Sequence, residues 1–477
     1  MRSRAGSHRT DLGTSRRPQA RALRVVSLFG TANLSWRARQ HVAELVPPPT
    51  PSPPRPGLNY MPLEMHTSPQ VPSTTQIAAT VPLGLDDYGD PVTYAEERRR
   101  LFSPARGPLY VGHDALLPTG RAHVRADGDD RVLLTRTACG ELRAFANVCS
   151  HALRPIVTDD TVLTGSCVTC PFHHWSFQLD GELIGGRSMS FTEDERARLG
   201  LRPFPTTSWR GAHFSGDAAI GPSFRDDLDR VEDAFAAHGV ADWLDFSDWV
   251  VVAEEDEAYR GDWKTFLEVY GDCYHVPPYH AGLASFADCA SLEWVFGEAM
   301  HLQFVHLSRQ AGRRSAAYAA WVEGLGDYHA ARGERGSELA VVWSAFYPNV
   351  MLEFYNGLRV ISVVIPTGPE SYVNRVHYLV PRDMEELVPG LVQVILDAYG
   401  ETAVQDRVLN ESRYDGVVVA RELDLGIEPY HPNLTGPAPE LGTLHFHRWW
   451  RAEMGRRHPA ARAGRPVSLS EFRPRNT

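Results

Sequence analysis

The hydrophobic and polar positions of this chain change period along its length, and those changes divide it. Over 109–112, 131–136, 142–145 and 175–179 the apolar residues come in short β-rich runs, separated by Gly, Pro and Asp signals such as Asp127-Gly128-Asp129. Short strands on regular turns predict a small β-sandwich over about 106–212. A helical stretch within 88–105, centred on 95–102, precedes it and is expected to pack on the later domain over 213–455. From 263 to 275 the spacing is helical: Glu268, Asp272 and His275 stand at i, i+4 and i+7 on one face, and Pro277-Pro278 must end the helix. Further on, the runs 341–346, 350–355, 359–365 and 373–380 are strand-like. The turns Pro348-Asn349, Asn356-Gly357 and Thr367-Gly368-Pro369 join them, so an antiparallel meander is expected. Helical runs 384–400 and 402–424 would cover that sheet, and His-rich 444–450 reads as a packed terminal helix. The fold class is α+β, with a second domain over 213–455.

Residues 1–80 follow neither period. The first sixty hold ten arginines against two acidic residues, and Pro47-Pro48-Pro49-Thr50-Pro51-Ser52-Pro53-Pro54-Arg55-Pro56 can form neither helix nor sheet ladder. The stretch reads as a disordered tail. Its composition resembles an organellar transit peptide, but an over-extended start, with Met61 or Met65 as the true first residue, is the stronger reading. The basic segment 456–477 reads as a second tail.

A chain of 477 residues is long for one core and predicts two or three domains. Its 43% hydrophobic and 22% charged residues are those of an ordinary globular protein. A net charge of −11 argues against nucleic acid as a partner. Six cysteines are too few for a disulfide scaffold and fit a reducing compartment, so a cytoplasmic location is expected. No apolar run reaches the roughly 18 residues of a membrane span. Lys264 is the only lysine, a usage that reflects codon composition and not function.

Chemistry enters with Cys149-Ser150-His151 and, after eighteen residues, Cys170-Pro171-Phe172-His173. Two thiolates and two imidazoles arrive as one Cys-x-His and one Cys-x-x-His pair, each short enough to grip a metal centre from one tight loop. Zinc takes two Cys and two His, and so does an iron–sulfur cluster in which His replaces Cys on one iron. Zinc fingers pair the cysteines together and the histidines together. Here each loop carries one of each, as a Rieske [2Fe–2S] centre requires. Cys167 makes a Cys-x-x-Cys with Cys170 but leaves His173 out of register, and reads as a small buried residue.

With these loops and their flanks, Arg136, Gly140, Ala144–Val148 and Trp175, the chain resembles the Rieske non-haem iron oxygenases, the large-subunit family of aromatic-ring-hydroxylating enzymes. Two features depart from the family: Ala152-Leu153 stand where Arg-Gly usually follows the first histidine, and the interval between the loops is slightly long. The spacing of His275 and His280 leaves structural and metal-binding roles equally open. The resemblance decides, since the family takes two ligands of a mononuclear Fe(II) from an Asp-x-x-His-x-x-x-x-His element like the one beginning at Asp272. It takes the third, a carboxylate, from a late helix that Gln405-Asp406-Arg407-Val408-Leu409-Asn410-Glu411 matches. Asp406 is the implied ligand against the plainer alternative of a solvated helix-face residue, with Glu411 or Asp415 as fallbacks. Asp272 is implied to bridge His275 and the neighbouring subunit's His173, a carboxylate that orients both rings for electron transfer.

The resemblance further implies a helix-grip catalytic domain, a curved antiparallel sheet wrapped on a long helix. It implies electrons from NAD(P)H delivered by a separate reductase or ferredoxin, because no Gly-rich nucleotide loop and no second cluster motif appears here. It implies O₂ activation beside an apolar, aromatic substrate, and assembly as a homotrimer or hexamer. Phe346, Phe354 and Tyr355 are candidates to line a pocket or simply to fill the core. Two other functions compete: a mono-oxygenase or demethylase of a quaternary ammonium compound, and a Rieske electron carrier whose second domain only binds a ligand.

Overall fold

The computed structural model describes residues 71–455 apart from 117–121, 128–130, 138, 159–160, 164–165, 311–312 and 428–437. The tails expected over 1–70 and 456–477, and the turn at Gly128-Asp129, lie outside these residues. The described chain folds earlier than the expected boundary at residue 80. Helix α1 (Thr74–Ala78) is closed by a capping box between Ser73 and Gln76. Its Ile77 is buried against Leu441 and Leu444 of the C-terminal helix Leu441–Glu453. Helix α2 (Pro91–Arg100) follows, with Asp90 accepting from the Thr93 amide and Pro91 in the first turn.

Eleven short strands then build the first region. They are β1 (Leu109–His113), β2 (Ala122–Asp127), β3 (Val132–Arg136), β4 (Leu142–Ala146), β5 (Thr161–Leu163), β6 (Cys167–Thr169), β7 (Ser176–Gln178), β8 (Leu183–Gly185), β9 (Pro203–Phe204), β10 (Thr206–Trp209) and β11 (Ala212–Ser215). A five-stranded sheet, β5-β2-β3-β4-β9, faces a three-stranded one, β6-β7-β8, with Leu133, Phe145, Phe177 and Leu183 buried between them. The third sheet, β1-β11-β10, sends Tyr110 and Phe214 into the core of the second region. Helix α3 (Glu193–Arg198) lies on the surface.

The second region is one antiparallel sheet of order β12-β18-β17-β16-β15-β14-β13. Its strands are β12 (Trp249–Arg260), β13 (Ala287–Phe296), β14 (Met300–Leu307), β15 (Leu339–Phe346), β16 (Val350–Tyr355), β17 (Leu358–Gly368) and β18 (Ser371–Pro381). Every residue of β15 and β16 is buried, because both faces of the sheet are covered. Helix α4 (Pro222–Ala237) packs Phe224, Leu228, Val231 and Phe235 on one face, against Leu302, Phe304, Leu352 and Phe354. The other face takes α5 (Lys264–Tyr270), α6 (Val276–Tyr279), α7 (Ala281–Phe286), α8 (Ala316–Arg332), the short α9 (Met384–Leu387) and the 32-residue α10 (Leu391–Glu422). Two helices were expected where α10 runs unbroken. Its Gly400 is buried, and tertiary packing outweighs the roughly 1 kcal/mol that a mid-helix glycine costs.

The expected helix over 263–275 is corrected. It ends at Tyr270, and Gly271 passes so close to the C-terminal helix that a Cβ would lie 2.6 Å from the Thr443 nitrogen. Asp272, Cys273, Tyr274 and His275 form a turn, and Pro277-Pro278 begin α6 in place of stopping a helix, as prolines in a first turn can. Glu268 therefore does not share a face with Asp272 and His275. It is fully buried, 2.5 Å from Arg413 on α10 and 2.8 Å from His447, with the Tyr88 hydroxyl donating to it. At the other end of α5 the buried Lys264 ammonium binds Glu97 at 2.7 Å and Asp262 at 2.9 Å, while Trp263 and Trp450 also donate to Glu97.

No helix among the described residues is long and apolar enough to cross a membrane. Replacing Lys264 with Met strands Glu97 and Asp262 without a cation, and the expected loss is about 3–5 kcal/mol of unfolding free energy. Denaturant titration checks it; a loss below about 1 kcal/mol, the worth of a surface pair, would show the network to be dispensable.

Candidate metal centres and cavity

The first pair of loops closes on itself through backbone bonds. The Cys149 amide donates to Arg154 and the Leu153 amide to Cys149, and buried Asn147 accepts from the Ile156 and Val157 amides. In the second loop the Cys170 amide donates to Trp175 and the His174 amide to Cys170. Leu153 and His174 take left-handed φ of 57° and 59°, the sharp reversals that let each loop present Cys and His on one side. Cys149 and Cys170 are both 2% exposed, whereas His151 and His173 are exposed. The two imidazoles lie 4.5 Å apart, centroid to centroid, and His151 stacks on Trp175 at 4.6 Å. Burial pushes the Cys149 thiol up, and Cys170 beside it adds to the shift. Two adjoining thiols inside and two adjoining imidazoles outside fit a cluster with a thiolate-bound inner iron and an imidazole-bound outer one. Cys167, expected to be buried, is half-exposed on β6 opposite Gln178.

The second group comes from three elements. His275 ends the turn after α5, His280 stands where α6 meets α7, and Asp406 lies on α10. Their ligand atoms all lie within 4.8 Å of one another. Asp406 Oδ1 is 3.1 Å from His280 Nε2 and 3.6 Å from His275 Nε2. The remaining ring nitrogens face fixed acceptors: His280 Nδ1 is 2.7 Å from Gln405 Oε1, and His275 Nδ1 is 3.3 Å from the Asp272 carboxylate. These acceptors hold each ring with Nε2 turned towards the common centre, the outer arrangement that metal-binding histidines use. Burial would lower His275, yet Asp272 and Asp406 outweigh it and hold its pKa at about 10. Burial would raise Asp406, yet the two histidines bring it down to about 2. A proton shared beside an ionised carboxylate occupies the place a divalent cation would take, so the donor set fits a two-His, one-carboxylate iron site. Glu411 and Asp415 lie elsewhere: the Arg260 amide donates to Glu411, and the Arg260 guanidinium is 2.5 Å from Asp415. Asp272 accepts from the Tyr274 amide at 2.6 Å, and among the described residues no hydrogen bond or ion pair joins it to His173 of the same chain.

The triad opens into a cavity of about 100 Å³ between the sheet and the helices α5 to α8 and α10. Of the three aromatic candidates only Tyr355 lines it. Phe346 and Phe354 point to the opposite face, against α4, because successive strand residues alternate sides. Two wall residues escaped sequence reading, Glu353 and Glu257. Glu353 is 5% exposed and accepts from the Tyr399 hydroxyl at 3.2 and 3.3 Å. Burial pushes its carboxyl up to about 8, and the Asp406 charge adds to the push. Burial likewise raises Glu257, which accepts from Tyr259 at 3.0 Å and Asn374 at 3.2 Å. The signal for Glu353 was present: it is the one charged residue in the run Val350-Met351-Leu352-Glu353-Phe354-Tyr355, and a charge in a doubly covered strand needs a reason.

Comparison with known proteins places this architecture. The model of the Rieske [2Fe-2S] domain matches residues 107–194, and that of the ring hydroxylating alpha subunit (catalytic domain) matches 241–456. A putrescine 2-hydroxylase of Ralstonia nicotianae is 32% identical over 390 residues, covering 80% of this chain and 97% of that protein. A glycine betaine monooxygenase oxygenase subunit of Chromohalobacter salexigens is 24% identical over 394 residues, 77% of this chain and 84% of its own. Among solved structures, a quaternary ammonium Rieske monooxygenase shares the fold with a TM-score of 0.60 at 17% identity, over 80% of this chain and 97% of that one. The fold and its two metal regions are those of an oxygenase that passes electrons from an iron–sulfur domain to a mononuclear iron. The chain belongs to the Rieske non-haem iron oxygenases, as a large-subunit oxygenase component carrying a [2Fe–2S] cluster and a catalytic iron. Members of this family draw their electrons from a separate reductase or ferredoxin.

The raised Glu353 carboxyl makes stability depend on pH. Its folded value, about 8, exceeds the ordinary 4.5, so the folded state holds the extra proton between those values and stability falls as pH rises through that window. Glu353→Gln should therefore melt at least about 2 °C above the parent near pH 9, with the difference shrinking towards pH 5. Melting curves at the two pH values check it; equal melting temperatures at high pH would contradict the burial argument.

Proposed function

We propose that this oxygenase hydroxylates a small aliphatic amine in its cationic form. The single observation that carries the reading is Glu353, a buried carboxyl on the cavity wall whose hydrogen bonds come from a tyrosine hydroxyl and which has no ion pair with Lys, Arg or His among the described residues. Buried charges are paired, so Glu353, which keeps its proton while no cation faces it, would ionise against a cation brought by the substrate. Tyr270, Tyr355, Tyr378 and Tyr399 line the same cavity, and aromatic rings favour the same guest through cation–π attraction. Relatives matching most of their own length are named for putrescine and glycine betaine, both of which carry positive nitrogen. The cavity of about 100 Å³ is also smaller than the roughly 150 Å³ that houses benzene in an engineered core, which argues for a slim substrate. The apolar aromatic substrate implied by the family resemblance would bring no counter-charge to Glu353.

In this reading Cys149, His151, Cys170 and His173 hold the cluster, and His275, His280 and Asp406 hold the iron. When bound, these groups supply single-electron transfer and oxygen activation. The chain's own part is positional. Gln405 and Asp272 fix the two imidazoles, the aromatic walls exclude water, and Glu353 sets the substrate's charge at a fixed point relative to the triad. Asp272, half-buried beside His275, would reach the neighbouring subunit's His173 in a homotrimer or hexamer, so it is a positioning residue for electron transfer.

Three measurements test this. Metal analysis should find about three irons per chain in the parent and about two in Asp406→Ala, with the cluster absorption unchanged; three irons in the variant would move the third ligand elsewhere, and two in the parent would favour an electron carrier. Asp272→Asn should keep both metals and its rate of cluster reduction, while cluster reoxidation with substrate and O₂ slows about 10- to 100-fold; an unchanged reoxidation rate would remove its role. Incubation with labelled O₂, a surrogate reductase and a panel of aliphatic amines, trimethylammonium compounds and aromatics should place label in an amine; label in the aromatics alone would overturn the substrate class.

A further inference from the structure

We propose that Cys273 and Cys289 form a redox site, closed to a disulfide by hydrogen peroxide, and that the bond staples the segment carrying His275 and His280. The bond itself is independent of the amine reading. Only its consequence for the metal centre rests on the proposed ligand set.

The two sulfurs already face each other. The Cys273 thiol donates to the Cys289 sulfur at 2.7 Å, so a disulfide of about 2.05 Å asks for a closure of only about 0.7 Å. Cys273 is 2% exposed and its amide donates to the Pro439 carbonyl at 2.9 Å, which fixes its side of the pair. Cys289 is half-exposed and stands between Asp288 and Glu293, where the pairing of β13 with β14 shifts register. The ladder is broken at such a shift. Cys289 can therefore yield the remaining distance without loss of a regular strand pair.

The oxidant comes from the chemistry that an oxygenase performs. Two electrons and two protons delivered to O₂ with no substrate oxidised give hydrogen peroxide. The half-exposed Cys289 sulfur attacks one peroxide oxygen, the O–O bond breaks, and hydroxide departs with the thiol proton as water, leaving a sulfenic acid. The Cys273 sulfur then attacks that sulfur, the S–O bond breaks, and a second water carries off the Cys273 proton. The two thiols lose two electrons and peroxide gains them. A thiol reductant reverses the bond, as the redox-sensing disulfides of reducing compartments require.

The disulfide closes a loop over residues 274–288, which contains both histidines, the four-residue α6 and the six-residue α7. Helices this short do not hold themselves, whereas Asp406 sits on the 32-residue α10. Cross-linking removes open conformations of the loop and so raises the cost of its local unfolding. The histidine side of the site is thus secured by the same event, O₂ reduced without substrate, that generates the oxidant.

Peptide mapping of the full-length holoenzyme before and after stoichiometric hydrogen peroxide tests the site, with free thiols alkylated under denaturing conditions. The treated protein should yield a cross-linked peptide joining Cys273 to Cys289, and dithiothreitol should remove it. Separately alkylated Cys273 and Cys289, with the exposed Cys139 oxidised instead, would overturn the site. Hydrogen exchange reads the staple. The amides of Tyr279, His280 and Ala284, which donate to the carbonyls of His275, Val276 and His280, should exchange about 10- to 100-fold more slowly after oxidation. Unchanged exchange beside a proven cross-link would overturn the staple and leave the disulfide standing. Cys289→Ser should lose cross-link and slowing together, and slowing that persists in this variant would likewise overturn the staple. The mapping of the parent needs no variant, and none of these measurements depends on the substrate, so failure of the amine reading leaves them intact.

Discussion

The group His275, His280 and Asp406 is drawn from two separate helical regions, and the contact that fixes one against the other is the buried pair of Glu268 and Arg413. Glu268 belongs to α5, whose end leads into the turn carrying Asp272 and His275; Arg413 lies on α10, seven residues beyond Asp406 and so nearly on the same helical face. Sliding α10 by one residue would carry Asp406 about 1.5 Å along its axis and separate Arg413 from its partner at once. His447 and Tyr88 complete the shell of Glu268, and Lys264 with Glu97 fixes the other end of the same short helix. Seven residues of helix cannot hold a position by their own propensity. This one is held by charges it would be costly to leave unpaired, and the metal-binding turn inherits that rigidity.

The cavity follows a related electrostatic logic with the opposite outcome. Asp406, Glu353 and Glu257 line one cavity, where burial raises the Glu353 and Glu257 carboxyls and the charge of Asp406 adds to the shift. Around α5 the protein supplies its own counter-ions. Around the cavity it supplies hydroxyls and an amide, which orient a carboxyl without neutralising it. On the proposed reading the positive partners arrive from outside, a metal ion at the triad and substrate nitrogen at Glu353, which would tie substrate binding to the charge state of the site.

Much of this is legible in the order of residues alone. The cluster loops declare themselves because four ligands at fixed short spacings seldom coincide by chance, and β15 to β18 read clearly because burial produces long apolar runs, whereas β12 and β13, half-exposed and mixed in pattern, and β14 were not expected. Asp406 could be named only through family resemblance, since an aspartate in a helix carries no local mark of its chemistry. The end of α5 was misplaced because Pro277-Pro278 signal a helix boundary without saying on which side the helix lies. Glu353 was missed for a different reason. Its run marks it as an unusual charge, but what that charge faces is set only when β16, α10 and the triad are brought together, and no window of sequence contains all three.

Lys264 has a consequence beyond the fold. As the only lysine, and fully enclosed, it leaves the folded surface without a single side-chain primary amine. Acylating reagents and amine-directed cross-linkers would find only the α-amino group, so subunit contacts in this protein are better captured through carboxyl chemistry or the exposed thiol of Cys139. By the same token, acylation at position 264 would report directly on opening of the core around α5.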